Sequence, residues 1–99
     1  KDYVEMAGLD DWLSNYPNPF NPTTNILFNV LQEGSVDIKI YNIRGQVVKS
    51  LINEKKGIGS YRVVWNGDNN NGSKVASGIY FVRMQQSNKN VTRKILLTK

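Results

Sequence analysis

Few side chains in this sequence are equipped for covalent or acid–base chemistry. Its 99 residues include no cysteine and no histidine, which removes disulfides, thiolate metal ligation, a cysteine nucleophile and the commonest general base. The carboxylates Asp37, Glu54 and Asp68 fall on what read as different elements, so they do not form the paired-carboxylate site of glycoside hydrolysis. Asp68-Asn69-Asn70-Asn71-Gly72 superficially resembles a calcium loop. A helix–loop–helix calcium site needs a glycine at its sixth position and a glutamate at its twelfth, and no register supplies both. The run reads as a hairpin loop of residues that tolerate left-handed backbone. With no nucleophile–base pair or metal constellation to name, the chain is expected to be non-catalytic and to hold no cofactor or metal.

Binding chemistry is better represented. Tyr16, Phe20, Tyr61, Trp65, Tyr80 and Phe81 could form a sugar-stacking platform, but most occupy strand positions expected to face inward, where aromatics fill a sandwich core. Trp12 and Tyr3 lie outside the strand pattern and read as freer aromatics that pack on a preceding domain. Lys39, Arg44, Lys49, Lys55, Lys56, Arg62, Lys74, Arg83, Lys89, Arg93, Lys94 and Lys99 are dispersed over several strands and loops. Nucleic-acid binders instead cluster their cations in a stripe. The cations therefore read mainly as a solvated surface, with salt-sensitive docking to an anionic partner as the functional alternative.

The elements carrying these residues are short strands. Ile26, Phe28 and Val30 alternate with Asn25, Leu27 and Asn29, the period of a strand with one buried face, ending near Gln32. Val36, Ile38 and Ile40 repeat the pattern, and Asn42-Ile43-Arg44-Gly45 supplies a turn. Gln46 to Ile52 reads as a short strand, Asn53 to Ser60 as a polar loop, and Tyr61 to Trp65 as a strand. Lys74 to Ala76 reads as a minor edge strand, Gly78 to Gln86 as a strong strand, Ser87 to Asn90 as a tight turn and Val91 to Thr98 as the last strand. About seven strands with no helix between them predict an all-β, immunoglobulin/fibronectin-like antiparallel β-sandwich.

Length allows one core, and no apolar run approaches the ~20 residues of a spanning helix. The net charge of +5 is uneven, with Asp2, Glu5, Asp10 and Asp11 crowded at the start. Residues 1–14 therefore read as an acidic linker or the end of a preceding domain, helical or extended, and residues 15–99 as the β-sandwich module. The proline-rich Asn15-Tyr16-Pro17-Asn18-Pro19-Phe20-Asn21-Pro22 opens that module as a turn-rich, partly polyproline-II stretch. Beginning at Lys1 without a leader pattern, the sequence reads as an excised or processed piece.

Four stretches stand together in order: Tyr16-Pro17-Asn18-Pro19-Phe20-Asn21-Pro22-Thr23-Thr24, Ile40-Tyr41-Asn42-Ile43-Arg44-Gly45-Gln46-Val47-Val48, Val75-Ala76-Ser77-Gly78-Ile79-Tyr80-Phe81 and Lys94-Ile95-Leu96-Leu97. In that order they resemble the type A C-terminal sorting domain of the bacterial type IX secretion system, a relative of the immunoglobulin-like domain of flagellar hook-capping proteins. The resemblance implies an address that carries an N-terminal cargo domain across the outer membrane to the cell surface. Its implied partners are the translocon, a sortase-like peptidase that cleaves in the preceding linker, and anionic lipopolysaccharide.

By position, Pro17, Asn18 and Pro19 match the opening motif, Gly78 and Tyr80 the glycine-x-tyrosine motif, and Lys94 the lysine of the final strand. Each also has a structural alternative: Pro17 and Pro19 shape the opening turn, Gly78 answers a close backbone approach, and Tyr80 is a core or corner tyrosine. Lys94 interrupts an apolar strand and reads as exposed, which makes it the leading recognition residue. The last strand is expected to offer its free edge to a receptor by β-augmentation. The competing readings are a retained immunoglobulin-like accessory module, a self-associating surface filament subunit and a carbohydrate-binding module.

Overall fold

The computed structural model describes residues 12–98, arranged as seven strands and no helix. The strands are β1 (Leu13–Tyr16), β2 (Thr24–Val30), β3 (Gly34–Tyr41), β4 (Val47–Lys56), β5 (Gly59–Trp65), β6 (Gly78–Gln86) and β7 (Lys89–Leu97). They form a three-stranded sheet of order β1-β2-β5 and a four-stranded sheet of order β4-β3-β6-β7, with every pairing antiparallel. This is the expected antiparallel sandwich.

The alternation of residue types decides which faces meet. Ile26, Phe28 and Val30 of β2, Val36, Ile38 and Ile40 of β3, Val82 and Met84 of β6, and Ile95 and Leu97 of β7 are all buried. Burying one such side chain contributes roughly 1.5–3 kcal/mol. At one end of the core, Trp65 sits between Phe20, at a centroid distance of 5.4 Å, and Tyr80, at 5.3 Å and edge-on. Tilted and edge-on pairings satisfy the ring quadrupoles. They join the proline-rich segment, β5 and β6 in one cluster.

Four local expectations are corrected. The N-terminal strand is β1, and Trp12 and Leu13 are buried in the sandwich rather than turned toward a preceding domain. Trp12 lies under the ammonium of Lys89 at 5.3 Å. The boundary read at residue 14/15 thus falls inside a strand, and the segment read as linker extends into residues 1–11, outside the described residues. The polar stretch from Asn53 is mostly β4, because Lys55 and Lys56 pair with Ser35 and Gly34; pairing partners outweigh the weak intrinsic strand preference of lysine. Lys74–Ala76 contributes a single bridge, Lys74 to Asp68, and no strand. Finally, Tyr16 is exposed and Phe81 lies half-buried on an outer face, so neither joins the core.

Candidate functional site

The proline-rich segment between β1 and β2 does not stay with its own sheet. It crosses to the outer edge of β7, where Asn18 acts as a substitute strand residue. Its Nδ2 donates to the Lys94 carbonyl at 3.2 Å, and its Oδ1 accepts from the Leu96 amide at 3.0 Å. Phe20 continues the match: its amide donates to the Leu96 carbonyl at 2.9 Å, and its carbonyl accepts from the Thr98 amide at 2.9 Å. The segment is a compact turn rather than a polyproline-II run. The Pro17 carbonyl accepts from the Thr24 hydroxyl at 2.9 Å, and that buried hydroxyl accepts from Asn15 Nδ2 at 3.1 Å. Pro17 and Pro19 flank Asn18 and are exposed.

This arrangement corrects the expectation of an open edge on the last strand. From the Lys94 carbonyl through both Leu96 groups to the Thr98 amide, the outward-facing backbone is already bonded to Asn18 and Phe20. Further along, Arg93 Nε donates to the Leu13 carbonyl at 3.0 Å, tying β7 to β1. An edge covered in this way offers little to strand addition.

Gly78 and Tyr80 lie on the opposite side of β7, paired with Leu97 and Ile95. Gly78 has φ of +150° and open space where a β-carbon would stand. Its backbone conformation is the reason for glycine there, not the close approach expected from sequence. Tyr80 is a buried corner tyrosine. Its hydroxyl donates to the Ala76 carbonyl at 2.6 Å, and burial pushes its pKa above the ordinary phenol value. These two residues shape the corner, while Lys94 projects from it, exposed, with Phe81 and then Tyr41 beside it across the outer face. All six candidate residues therefore gather around the C-terminal half of β7. The Tyr41–Val48 turn motif joins the same face through Tyr41.

Sequence reasoning missed several residues that hold this frame. Asn70 blunts the far edge of the four-stranded sheet much as Asn18 blunts the near one. Its amide donates to the Val48 carbonyl at 3.1 Å and its Oδ1 accepts from the Ser50 amide at 3.0 Å. The Asp68 carboxylate pairs with Lys49 at 3.1 Å, and Asn69 Oδ1 accepts from the amides of Asn71 and Ser73. The polar atoms of the asparagine run thus hold the loop and its neighbour β4. Buried Gln86 links the sheets, with Nε2 donating to the Asn29 carbonyl at 2.8 Å and Oε1 accepting from the Leu31 amide at 3.0 Å. Polar residues placed within strands and asparagine-rich turns were the available signal. Their partners lie too far along the chain to be read from spacing.

No curated protein matches the chain. Among solved structures it is similar to dimeric latent PorU from Porphyromonas gingivalis, at 17% identity and a TM-score of 0.68 over 87% of this chain and 9% of that one. It is similar to PorZ, a surface component of the type IX secretion system of the same organism, at 23% identity and 0.60, over 90% of this chain and 12% of that one. FlgD from Xanthomonas campestris, described in the context of flagellar hook capping, aligns at 20% identity and 0.60, over 97% of this chain and 74% of that one. The chain is thus a small part of the length of PorU and PorZ, and at these identities the likeness establishes the immunoglobulin-like fold. A family model carries the assignment further. Matched from residue 14 to residue 98, the chain belongs to the family of secretion system C-terminal sorting domains.

Proposed function

We propose that the chain is the non-catalytic address of a longer secreted protein, engaged by the type IX translocon and a PorU-like sortase peptidase and delivering an N-terminal cargo domain to the cell surface. The observation that carries this reading is the convergence of four separated motifs on the C-terminal half of β7. A catalytic site would bring titratable groups together. This corner brings together an exposed lysine, an outer apolar face and backbone held by asparagine.

In this reading Lys94 is the contact residue, presented on the face of β7 rather than through its edge. Pro17, Asn18, Pro19, Gly78 and Tyr80 hold the strand that presents it. Anionic lipopolysaccharide, met after export, is the electrostatic counterpart for the basic surface. Asn18 and Asn70 blunt both outer edges of the four-stranded sheet, which argues against the alternative of filaments built by pairing those edges.

The test is a reporter fused ahead of Lys1 and expressed in a type IX-competent bacterium and in a translocon-deficient strain, with intact masses measured in both. Export confined to the competent strain, with or without loss of the C-terminal piece, is the expected result. Equal behaviour in the two strains overturns the reading in favour of a retained accessory module.

A further inference from the structure

The outward positions of β3, β6 and β7 form rows in register: Tyr41 beside Phe81 beside Lys94, and Lys39 beside Arg83 beside Thr92. Around the first row lies an apolar surface built from Tyr41, Ile43, Val47, Ile79, Phe81 and Leu96. Ile43 is 73% exposed and Val47 47%, while Phe81 and Tyr41 are recessed between them and the neighbouring strands. A contiguous exposed apolar patch on a small domain marks an interaction surface more often than chance. Here it borders a shallow, open depression of about 320 Å³ whose lining includes Tyr41, Ile43, Phe81, Arg83 and Thr92.

The charges around this depression that lack an ion-pair partner among the described residues have one sign. Lys39 is paired with Asp37 on the same strand, but Arg83, Lys94 and Arg44 make no ion pair among the described residues. Among the described residues the Arg83 guanidinium bonds the Asn90 amide oxygen, at 3.2 Å. A second copy of the chain set against this face would oppose like charges, which is unfavourable. A flat lipid surface would leave the depression unfilled. An acidic protein segment satisfies both features, with an apolar side chain in the depression and a carboxylate on Arg83 in the bidentate geometry that guanidinium favours.

From this we infer that the outer face of the four-stranded sheet docks an acidic segment of a partner protein through an apolar anchor seated between Tyr41 and Phe81, with Arg83 reading the adjacent carboxylate. The inference deepens the sorting-domain reading by assigning a partner surface, and its test is independent of export.

The full 99-residue chain is titrated, with amide and methyl NMR shifts recorded, against a short synthetic peptide bearing one tryptophan flanked by aspartate and glutamate. The same titration is run with a lysine-flanked version and with phosphatidylglycerol vesicles. The acidic peptide is expected to move the resonances of Tyr41, Ile43, Phe81 and Arg83. R83E should weaken that binding about tenfold, the scale of one lost charge contact, and R83K should weaken it by less than R83E while still losing part of it, because an ammonium keeps the charge but not the bidentate contact. Arg83 projects from the outer face, so R83E is compatible with an intact core, which an unchanged melting temperature verifies. The inference is overturned by no shift at this face, by equal binding of the lysine-flanked peptide, by equal binding to R83E, or by vesicles that engage these residues in preference to the peptide.

Discussion

The Asn18 side chain and the Leu96 amide meet at 3.0 Å across 78 positions of sequence, while the same carboxamide holds the Lys94 carbonyl at 3.2 Å. One asparagine thus supplies the donor and the acceptor that a neighbouring strand would otherwise provide.

Substitution at Asn18 separates its two halves. N18L removes both bonds and is expected to lower stability by about 1–3 kcal/mol, at about 0.5–1.5 kcal/mol for each hydrogen bond where water can compete. It should also accelerate exchange of the Leu96 amide. N18D retains the acceptor for Leu96 while setting a carboxylate against the Lys94 carbonyl, so Leu96 stays protected although stability falls. Equal Leu96 exchange rates in wild type and N18L, measured by NMR, would contradict the clamp.

Tyr80 makes stability depend on alkaline pH. Burial raises its folded-state pKa above the unfolded value of about 10, and its hydroxyl donates to Ala76. The contribution is fully present below about pH 10 and is lost as pH rises through the folded-state value, because only the unfolded chain releases the proton in that window. Denaturation midpoints measured from pH 8 to pH 11 should fall above about pH 10. Y80F should lose that component of the slope and start lower at neutral pH by about 0.5–1.5 kcal/mol. A slope unchanged by Y80F would show that Tyr80 is not its cause.

Gly78 and Gly57 give opposite results with alanine. At Gly78 a β-carbon meets nothing, yet φ of +150° is unfavourable for any L residue, so G78A should cost about 1–3 kcal/mol. At Gly57 a β-carbon would come only to 4.0 Å of the Tyr61 hydroxyl, and G57A should stay within about 1 kcal/mol of wild type. Thermal melts of the pair decide whether backbone conformation or packing governs the glycine-x-tyrosine motif.

Leu13 tests where the module begins. It is fully buried and pairs with Phe28, so L13A should destabilise by about 2–5 kcal/mol. A chain starting at Asn15 should lose still more than one starting at Trp12, since it lacks two core side chains. Equal urea midpoints for these two truncations would return Trp12 and Leu13 to the linker.

Removal of Asn90–Lys99 is a poor probe of recognition, because Ile95 and Leu97 are core residues and the deleted stretch is most of β7. Loss of export would then report unfolding of the sorting module. K94A is the cleaner variant: its exposed side chain predicts a stability change within about 0.5 kcal/mol, with exported reporter reduced. Unchanged export in a K94A protein of normal melting temperature would remove Lys94 from the recognition surface.

The alternation in β2 and β3, the turn at Asn42–Gly45 and the run of strands after Gly78 were legible in the sequence, because side-chain period and turn chemistry are local. The family resemblance likewise rested on short contiguous motifs. Tertiary structure alone decided what those motifs do together. Local pattern leaves Gly78–Gln86 ambiguous, since Ile79 and Phe81 are as apolar as Tyr80 and Val82; pairing with β3 and β7 turned Phe81 outward. Lysines near Asn53 argued for a loop until Gly34 and Ser35 were found opposite them. Asn18 carries no signal of its distant partner, because the bond exists only after the proline-rich segment has crossed between sheets to lie along β7. Backbone hydrogen bonding at a sheet edge is indifferent to side-chain type, so the edge's occupant is decided by where the chain passes.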